Sequence, residues 1–245
     1  MSNFISPLNE QALYDAHNLI TYVLLIVWLI VCIVGYKMRN QAYKRNITIF
    51  FISISLIQEC FDYLNRFLFS DLYIVKIQTD LPLQLCHFAY WFSVICLVCQ
   101  LYNYHKKQFY FNCAYFLGFS GALQGILTVD LTGIYTFADM LALHLQHSFI
   151  IMNVLWLIFA YGFTFNQKGV VQAFLFTNIM LIFVGIVNYF IKSNYMFLCK
   201  PPDVNNPLLV GEWPYYLIVL EMIFFIYGYI LCIPFLIIKY LNKNK

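Results

Sequence analysis

The chain has 245 residues, of which 62% are hydrophobic and 20% aromatic but only 10% charged, with a formal net charge of +3. Soluble globular domains carry about 25% charged residues, so this composition excludes that class and indicates an integral membrane protein. The small positive charge calls for no nucleic-acid partner, because basic loops beside anionic lipid account for it.

A hydrocarbon core about 30 Å thick takes about 20 apolar residues per helical span. Seven such runs follow one another, approximately Asn18–Tyr36, Asn46–Phe69, Leu81–Tyr104, Gln108–Thr128, Met140–Phe163, Val170–Ile191 and Trp213–Ile238. Strand alternation is absent, and helices satisfy their own backbone hydrogen bonds in lipid. The expected fold is therefore all-α: a polytopic bundle of seven transmembrane helices forming a single domain over residues 1–245. The first run has no basic leader and no small-residue cleavage site, so it reads as a span rather than a signal peptide.

Basic residues collect in cytoplasmic loops. Ten of the 14 Lys and Arg residues fall between runs one and two, three and four, and five and six, or at the C-terminal tail, and no Asp or Glu lies in those loops. The other side holds Lys76, Lys192 and Lys200 together with eight acids. The predicted orientation is N-terminus outside and C-terminus inside.

Ionisable groups at membrane depth are costly and tend to mark function. In the second run Glu59, Asp62 and Arg66 fall on one helix face by their spacing, as an ion network that either tethers neighbouring helices or meets a substrate. Gln84, Cys86 and His87 begin the third run, and Gln124 ends the fourth. His144 and His147 begin the fifth, three residues apart on one face. Asn188 ends the sixth run, and Glu221, about two turns into the seventh, is expected to join the ion network of Glu59, Asp62 and Arg66. Six consecutive spans thus bring their polar residues to the outer half, as a chamber opening toward the outer leaflet would require.

A catalytic cysteine needs a base within reach. His87 is a poor candidate for Cys86, because adjacent helical residues point about 100° apart. His147 or His144, from another helix at similar depth, fits better. Pro82 suits a helix start. Cysteine is equally a small apolar filler, and the chain has 8. Cys96 and Cys99 form a C-x-x-C with no second ligand pair at their level, and a zinc site of Cys86, His144 and His147 is the other metal alternative. No metal and no cofactor are expected.

The stretches LPLQLCH, GALQGILTVDL, LQHSFII and VNYFIKSNYMFLCKPP…PLLVGEWPYYL resemble the YwaF-type family of bacterial integral membrane proteins, from about Leu81 to the end of the seventh run. That family is in turn similar to a vertebrate seven-span acyltransferase that remodels ether phospholipids. The resemblance implies a Cys nucleophile and a His partner, carried here to Cys86 and His147. It also implies fatty acyl transfer from a phospholipid to a lysolipid, in a bacterial plasma membrane. Gln124, His144 and Asn188 are candidate donors to the oxyanion, and His87 and Asn194 complete the expected substrate-binding set. Lys192 to Glu212 reads as a cover over the chamber. Two other classes compete: a transporter relaying protons or a small ligand through the same polar cluster, and a seven-span receptor.

Overall fold

The computed structural model describes residues 6–69, 73–201 and 209–243. Its elements are α1 (Glu10–Lys37), α2 (Gln41–Leu64) continued by a π-type turn (Asn65–Phe69), α3 (Leu85–Leu101), α4 (Lys107–Leu117), a second π-type turn (Gly118–Ala122), α5 (Leu123–Leu127), α6 (Phe137–Tyr161), α7 (Gln167–Ile191), a 3-10 turn (Tyr195–Phe197), α8 (Tyr215–Ile230) and α9 (Ile233–Lys243). No strand occurs among the described residues.

Five helices are long and apolar enough to cross a membrane: Glu10–Lys37, Gln41–Phe67, Phe137–Tyr161, Gln167–Ile191 and Tyr215–Lys243. Helix α3 is apolar too, but its 17 residues rise only about 25 Å at 1.5 Å each. The protein is a helical membrane bundle.

Short polar side chains set where the helices begin. Asn9 accepts from the Ala12 N–H and Asn40 from those of Ala42 and Tyr43, so α1 and α2 start eight and five residues before the expected runs. Thr136 and Asp139 form a reciprocal capping box for α6, and Asn166 caps α7. Each cap satisfies a first-turn N–H that hydrocarbon cannot solvate. Gly162, at φ 73°, ends α6 in the left-handed region that favours glycine.

Three expected runs differ in detail. The third starts at Leu85 rather than Leu81, since Leu81 and Pro82 lie in a bend. The fourth is a rod whose hydrogen bonding loosens at Gly118–Ala122. The seventh breaks at Leu231–Cys232 and resumes at Ile233, because the Pro234 ring cannot sit inside an unbroken helix.

Helix α6 is the centre of the bundle. Inside its most apolar stretch 72% of residues are buried, against 22–33% for the other long helices. It packs against α1, α2, α3 and α4. Side-chain hydrogen bonds tie it to three of these. Trp28 Nε1 donates to Ser148 Oγ at 2.7 Å, and Trp156 Nε1 to Thr48 Oγ1 at 2.9 Å. Asn153 Nδ2 donates to Ser93 Oγ at 3.0 Å and to Ser55 Oγ at 3.3 Å. Close approach of α1 needs Gly35, where an added Cβ would lie 3.0 Å from Phe159 Cβ and 3.2 Å from the Ala160 nitrogen.

Contacts at the two ends establish the antiparallel weave. At one end Lys44 Nζ reaches the Ala160 carbonyl at 2.5 Å and Gln108 reaches that of Thr164 at 2.9 Å, so the basic segments gather there. At the other end Leu8 N bonds Tyr135 O at 2.9 Å and Asn65 Nδ2 bonds Asp139 Oδ1 at 2.6 Å.

Asn153→Ala, which strips both serine contacts from α6, is expected to cost about 1–2 kcal/mol. Gly35→Leu forces the α1 and α6 backbones apart and costs about 1–3 kcal/mol or more. Thermal unfolding of the protein in nanodiscs checks both, and an unchanged midpoint for Gly35→Leu would contradict the close crossing.

Candidate functional site

At the end of the bundle opposite the basic segments, the turn after α2 presents Arg66. Its Nε lies 3.2 Å from Asp62 Oδ1 and its Nη1 3.4 Å from Asp80 Oδ1. Asp80 also accepts from Tyr73 Oη at 2.6 Å, Thr79 Oγ1 at 2.7 Å and the Lys76 N–H at 2.8 Å. One carboxylate thus folds residues 73–80 onto α2. Burial pushes the Asp80 carboxyl up, but the Lys76 N–H, the two hydroxyls and Arg66 together hold it below the usual carboxylate range.

Glu59, one turn further in from Asp62, is buried and faces Gln146 of α6. Its Oε2 and the Gln146 Nε2 close no hydrogen bond. Of the expected ion network, Asp62 and Arg66 pair, with Asp80 as an added partner of Arg66, while Glu59 makes no salt bridge among the described residues. Glu221 does not join it. Its Oε2 instead accepts from Asn178 Nδ2 at 3.0 Å across the α7–α8 contact, because α8 packs on α7 and not on α2.

The start of α3 is clamped from the other side by the turn after α7. Tyr195 Oη accepts from the Leu81 N–H and donates to the Ile77 carbonyl, both at 2.7 Å. Gln84 is the residue before the first helical turn, yet its side chain makes no cap hydrogen bond. Its Oε1 accepts instead from the Met196 N–H at 2.8 Å. The first N–H groups of α3, at Leu85 and Cys86, are therefore left without a carbonyl or cap acceptor inside the helix.

Asn188 and Asn194 prove to be fasteners of this turn. Asn188 Oδ1 accepts from Ser193 Oγ and the Tyr195 N–H, while its Nδ2 donates to the Tyr195 carbonyl. Asn194 Oδ1 accepts from the N–H groups of Cys199 and Lys200, and its Nδ2 donates to the Lys200 carbonyl. Trp213 Nε1 donates to Leu198 O at 2.9 Å and Tyr216 Oη to Phe197 O. The NYMFL and WPYYL motifs thus fold onto one another, within and beside the segment Lys192 to Glu212 expected as a cover. The rest of that segment, 202–208, lies outside the described residues.

Within the clamp, Cys86 is half-buried and its Sγ lies 3.9 Å from His87 Nδ1. The expected divergence of these neighbours is corrected: in the first turn of α3 the two side chains meet. His147 of α6 and Arg66 lie within electrostatic reach of the His87 ring.

The two histidines of α6 have tautomers fixed by geometry, since a carbonyl can only accept. His147 Nδ1 donates to Leu143 O at 2.8 Å, so Nε2 carries the lone pair. That atom is packed over Gly125, where an added Cβ would stand only 2.8 Å away. His144 Nδ1 donates to Met140 O at 2.8 Å, and its Nε2 accepts from His17 Nδ1 at 2.9 Å. His144 therefore has no donor left for an oxyanion, whereas Asn188 spends one of its two amide N–H groups on the Tyr195 carbonyl. Gln124 lies on α5 beside Gly125 and is half-buried.

Sequence reasoning missed Asp80, Gly125 and His17. Asp80 was counted only as an outer-side charge, and a lone glycine or histidine near a span end carries no signal of the partner that makes it matter. Among the described residues no three His, Cys, Asp or Glu side chains converge to hold a metal ion, and His144 Nε2 is already committed to His17.

A family model described as the TMEM164 family matches residues 12–232, nearly the whole chain, and the protein belongs to that family. No curated protein and no solved structure matches it.

The depressed Asp80 carboxyl contributes stability above the unfolded carboxylate value of about 4, and that contribution is lost as pH falls through the lower folded value. Asp80→Asn is expected to lower the thermal midpoint at pH 7 and to shrink its fall on acidification below about pH 4. Unfolding scans across that range check this, and equal acid sensitivity in variant and wild type would contradict it.

Proposed function

We propose that this member of the TMEM164 family transfers a fatty acyl group between membrane lipids through a thioester on Cys86. The carrying observation is the setting of that thiol: it stands in the uncapped first turn of α3 and touches the His87 imidazole, which in turn has His147 of the central helix within electrostatic reach. The resemblance of LPLQLCH and LQHSF to the acyltransferase pattern supports the same pair, Cys86 as nucleophile and His147 as base.

The steps balance as follows. A histidine nitrogen takes the proton from the Cys86 thiol, and the thiolate attacks the ester carbonyl carbon of a donor phospholipid. The carbonyl oxygen becomes an oxyanion, for which this reading takes the Leu85 and Cys86 N–H groups and the Gln124 amide as donors. The carbon–oxygen ester bond breaks, the leaving glycerol oxygen receives the histidine proton, and a lysophospholipid departs. The hydroxyl of an acceptor lysolipid then loses its proton to the same base, attacks the thioester, and restores the thiol. No soluble cofactor enters.

His87 is the imidazole in contact with sulfur, whereas His147 has the fixed tautomer of a base. In this reading His147 is the terminal base and His87 orients or relays. Bundle polarity adds the side of action. By the basic-loop rule, the end holding Cys86 is exoplasmic and the seven runs all span, so the donor is a phospholipid of the outer leaflet, in a bacterial plasma membrane by the resemblance.

Cys86→Ala is expected to abolish the change in phospholipid and lysolipid profile that wild type causes in proteoliposomes. It should also remove a hydroxylamine-labile acyl adduct detected by intact mass spectrometry. His147→Gln is expected to slow transfer by about 10²–10⁴-fold. Gly125→Ala, which crowds His147 Nε2, should slow it by about 10²-fold with little change in unfolding temperature. A wild-type protein that never carries acyl on Cys86 under turnover would refute the proposal.

A second reading, proton or small-ligand transport, draws on the buried Glu59 Oε2 and Gln146 Nε2, which close no hydrogen bond. Glu59→Gln separates the two. Acyl transfer that persists in this variant favours the first reading, and loss of uptake into proteoliposomes favours the second.

A further inference from the structure

Beside the start of α3 lies a cavity of about 300 Å³, at the lower end of the range of small-molecule sites. It is bounded by α4, α7 and α8, with Leu85, Met196 and Leu198 also in its lining. Its floor on α4, Phe116 and Leu117, is buried, while Ile182 at its rim is 67% exposed. The lining is apolar apart from Thr177 and the pair Asn178 and Glu221. That pair turns its polarity on itself and the helix, since Asn178 Nδ2 donates both to Glu221 Oε2 at 3.0 Å and to Phe174 O at 3.1 Å.

What can enter is decided by what surrounds the mouth. The outer faces of α7 and α8 carry exposed Ile179, Ile186, Ile218 and Met222 on helices apolar enough to span a membrane, so the rim opens onto hydrocarbon. A polar solute has no route there, whereas a lipid tail is already present. Leu85, in the cavity lining, directly precedes Cys86 in the first turn of α3. We propose that this cavity takes a fatty acyl chain of the donor phospholipid and lays its ester at Cys86. The assignment rests on Cys86 being the acylated residue, and it makes the cavity the gauge of acyl-chain length.

The full-length Cys86→Ala protein in nanodiscs, with a phosphatidylcholine bearing a terminal diazirine on one chain, tests occupancy without catalysis. Irradiation followed by peptide mass spectrometry should label the buried floor at Phe116 or Leu117. Adding Leu181→Trp, or Leu220→Phe where the larger ring does not fold, should cut that floor labelling while leaving the exposed Ile179 and Ile218 labelled as before. Floor labelling no higher than at buried Phe111, or labelling that neither filling variant changes, would overturn the cavity assignment even if transfer by wild type proceeds normally.

On the wild-type background the filling variants should shift transfer toward shorter chains by about tenfold, the scale on which an apolar pocket discriminates a methylene group. Unchanged chain preference overturns the gauge. Floor labelling in a protein that never acylates Cys86 overturns the donor assignment and, separately, the acyl-transfer reading.

Discussion

In hydrocarbon a buried amide or hydroxyl has no water to fall back on, and the packing of this bundle follows from where such groups find partners. Helix α6 supplies most of those partners. Ser148 meets Trp28 of α1, Asn153 meets Ser55 of α2 and Ser93 of α3, and Trp156 meets Thr48 of α2. Each bond would be costly to break where nothing replaces it, so three helices are held in register around a fourth. The histidines of α6 inherit that rigidity. Their Nδ1 atoms are bound to carbonyls of their own helix, which fixes both the ring position and the nitrogen that carries the lone pair.

The start of α3 is placed by contacts distant in sequence. Arg66 and Asp80 draw the preceding segment onto α2, and Tyr195 with the Gln84–Met196 bond draws it onto the turn after α7. Gln84 cannot serve both as tether and as helix cap. Its use as a tether leaves the first-turn N–H groups open at the one position where a cysteine stands, and the dipole of α3 adds to their positive character there. A structural fastening and a chemical opportunity are thus the same hydrogen bond.

The central helix and the helices around it differ in how deeply they are buried. Helix α6 buries most of its length, whereas α7 and the α8–α9 segment bury about a quarter of theirs. The apolar cavity lies between α4, α7 and α8, whereas His144 and His147 stand on the deeply buried α6. The proposed acyl transfer would ask for both a fixed reactive centre and walls that admit a chain from the bilayer.

By itself the sequence determined the class of the molecule and the grouping of its polar residues by end, because hydropathy and charge are properties of segments and need no partner to be read. The caps at Asn9, Asn40 and Asn166 show helix starts that the hydropathy count set too late, although a cap acts within four residues and is a local signal. Only the tertiary structure decided which polar groups meet. Glu221 looked like a member of the Glu59–Asp62–Arg66 cluster but faces Asn178 across another contact, and Asn188 and Asn194 looked like ligands for substrate but fasten a turn. Gly125 acquires a role only because His147 of another helix lies over it. Depth in the membrane can be counted along a chain, whereas the direction a helix turns its side chains depends on neighbours contributed by remote segments, and that is where the remaining information resides.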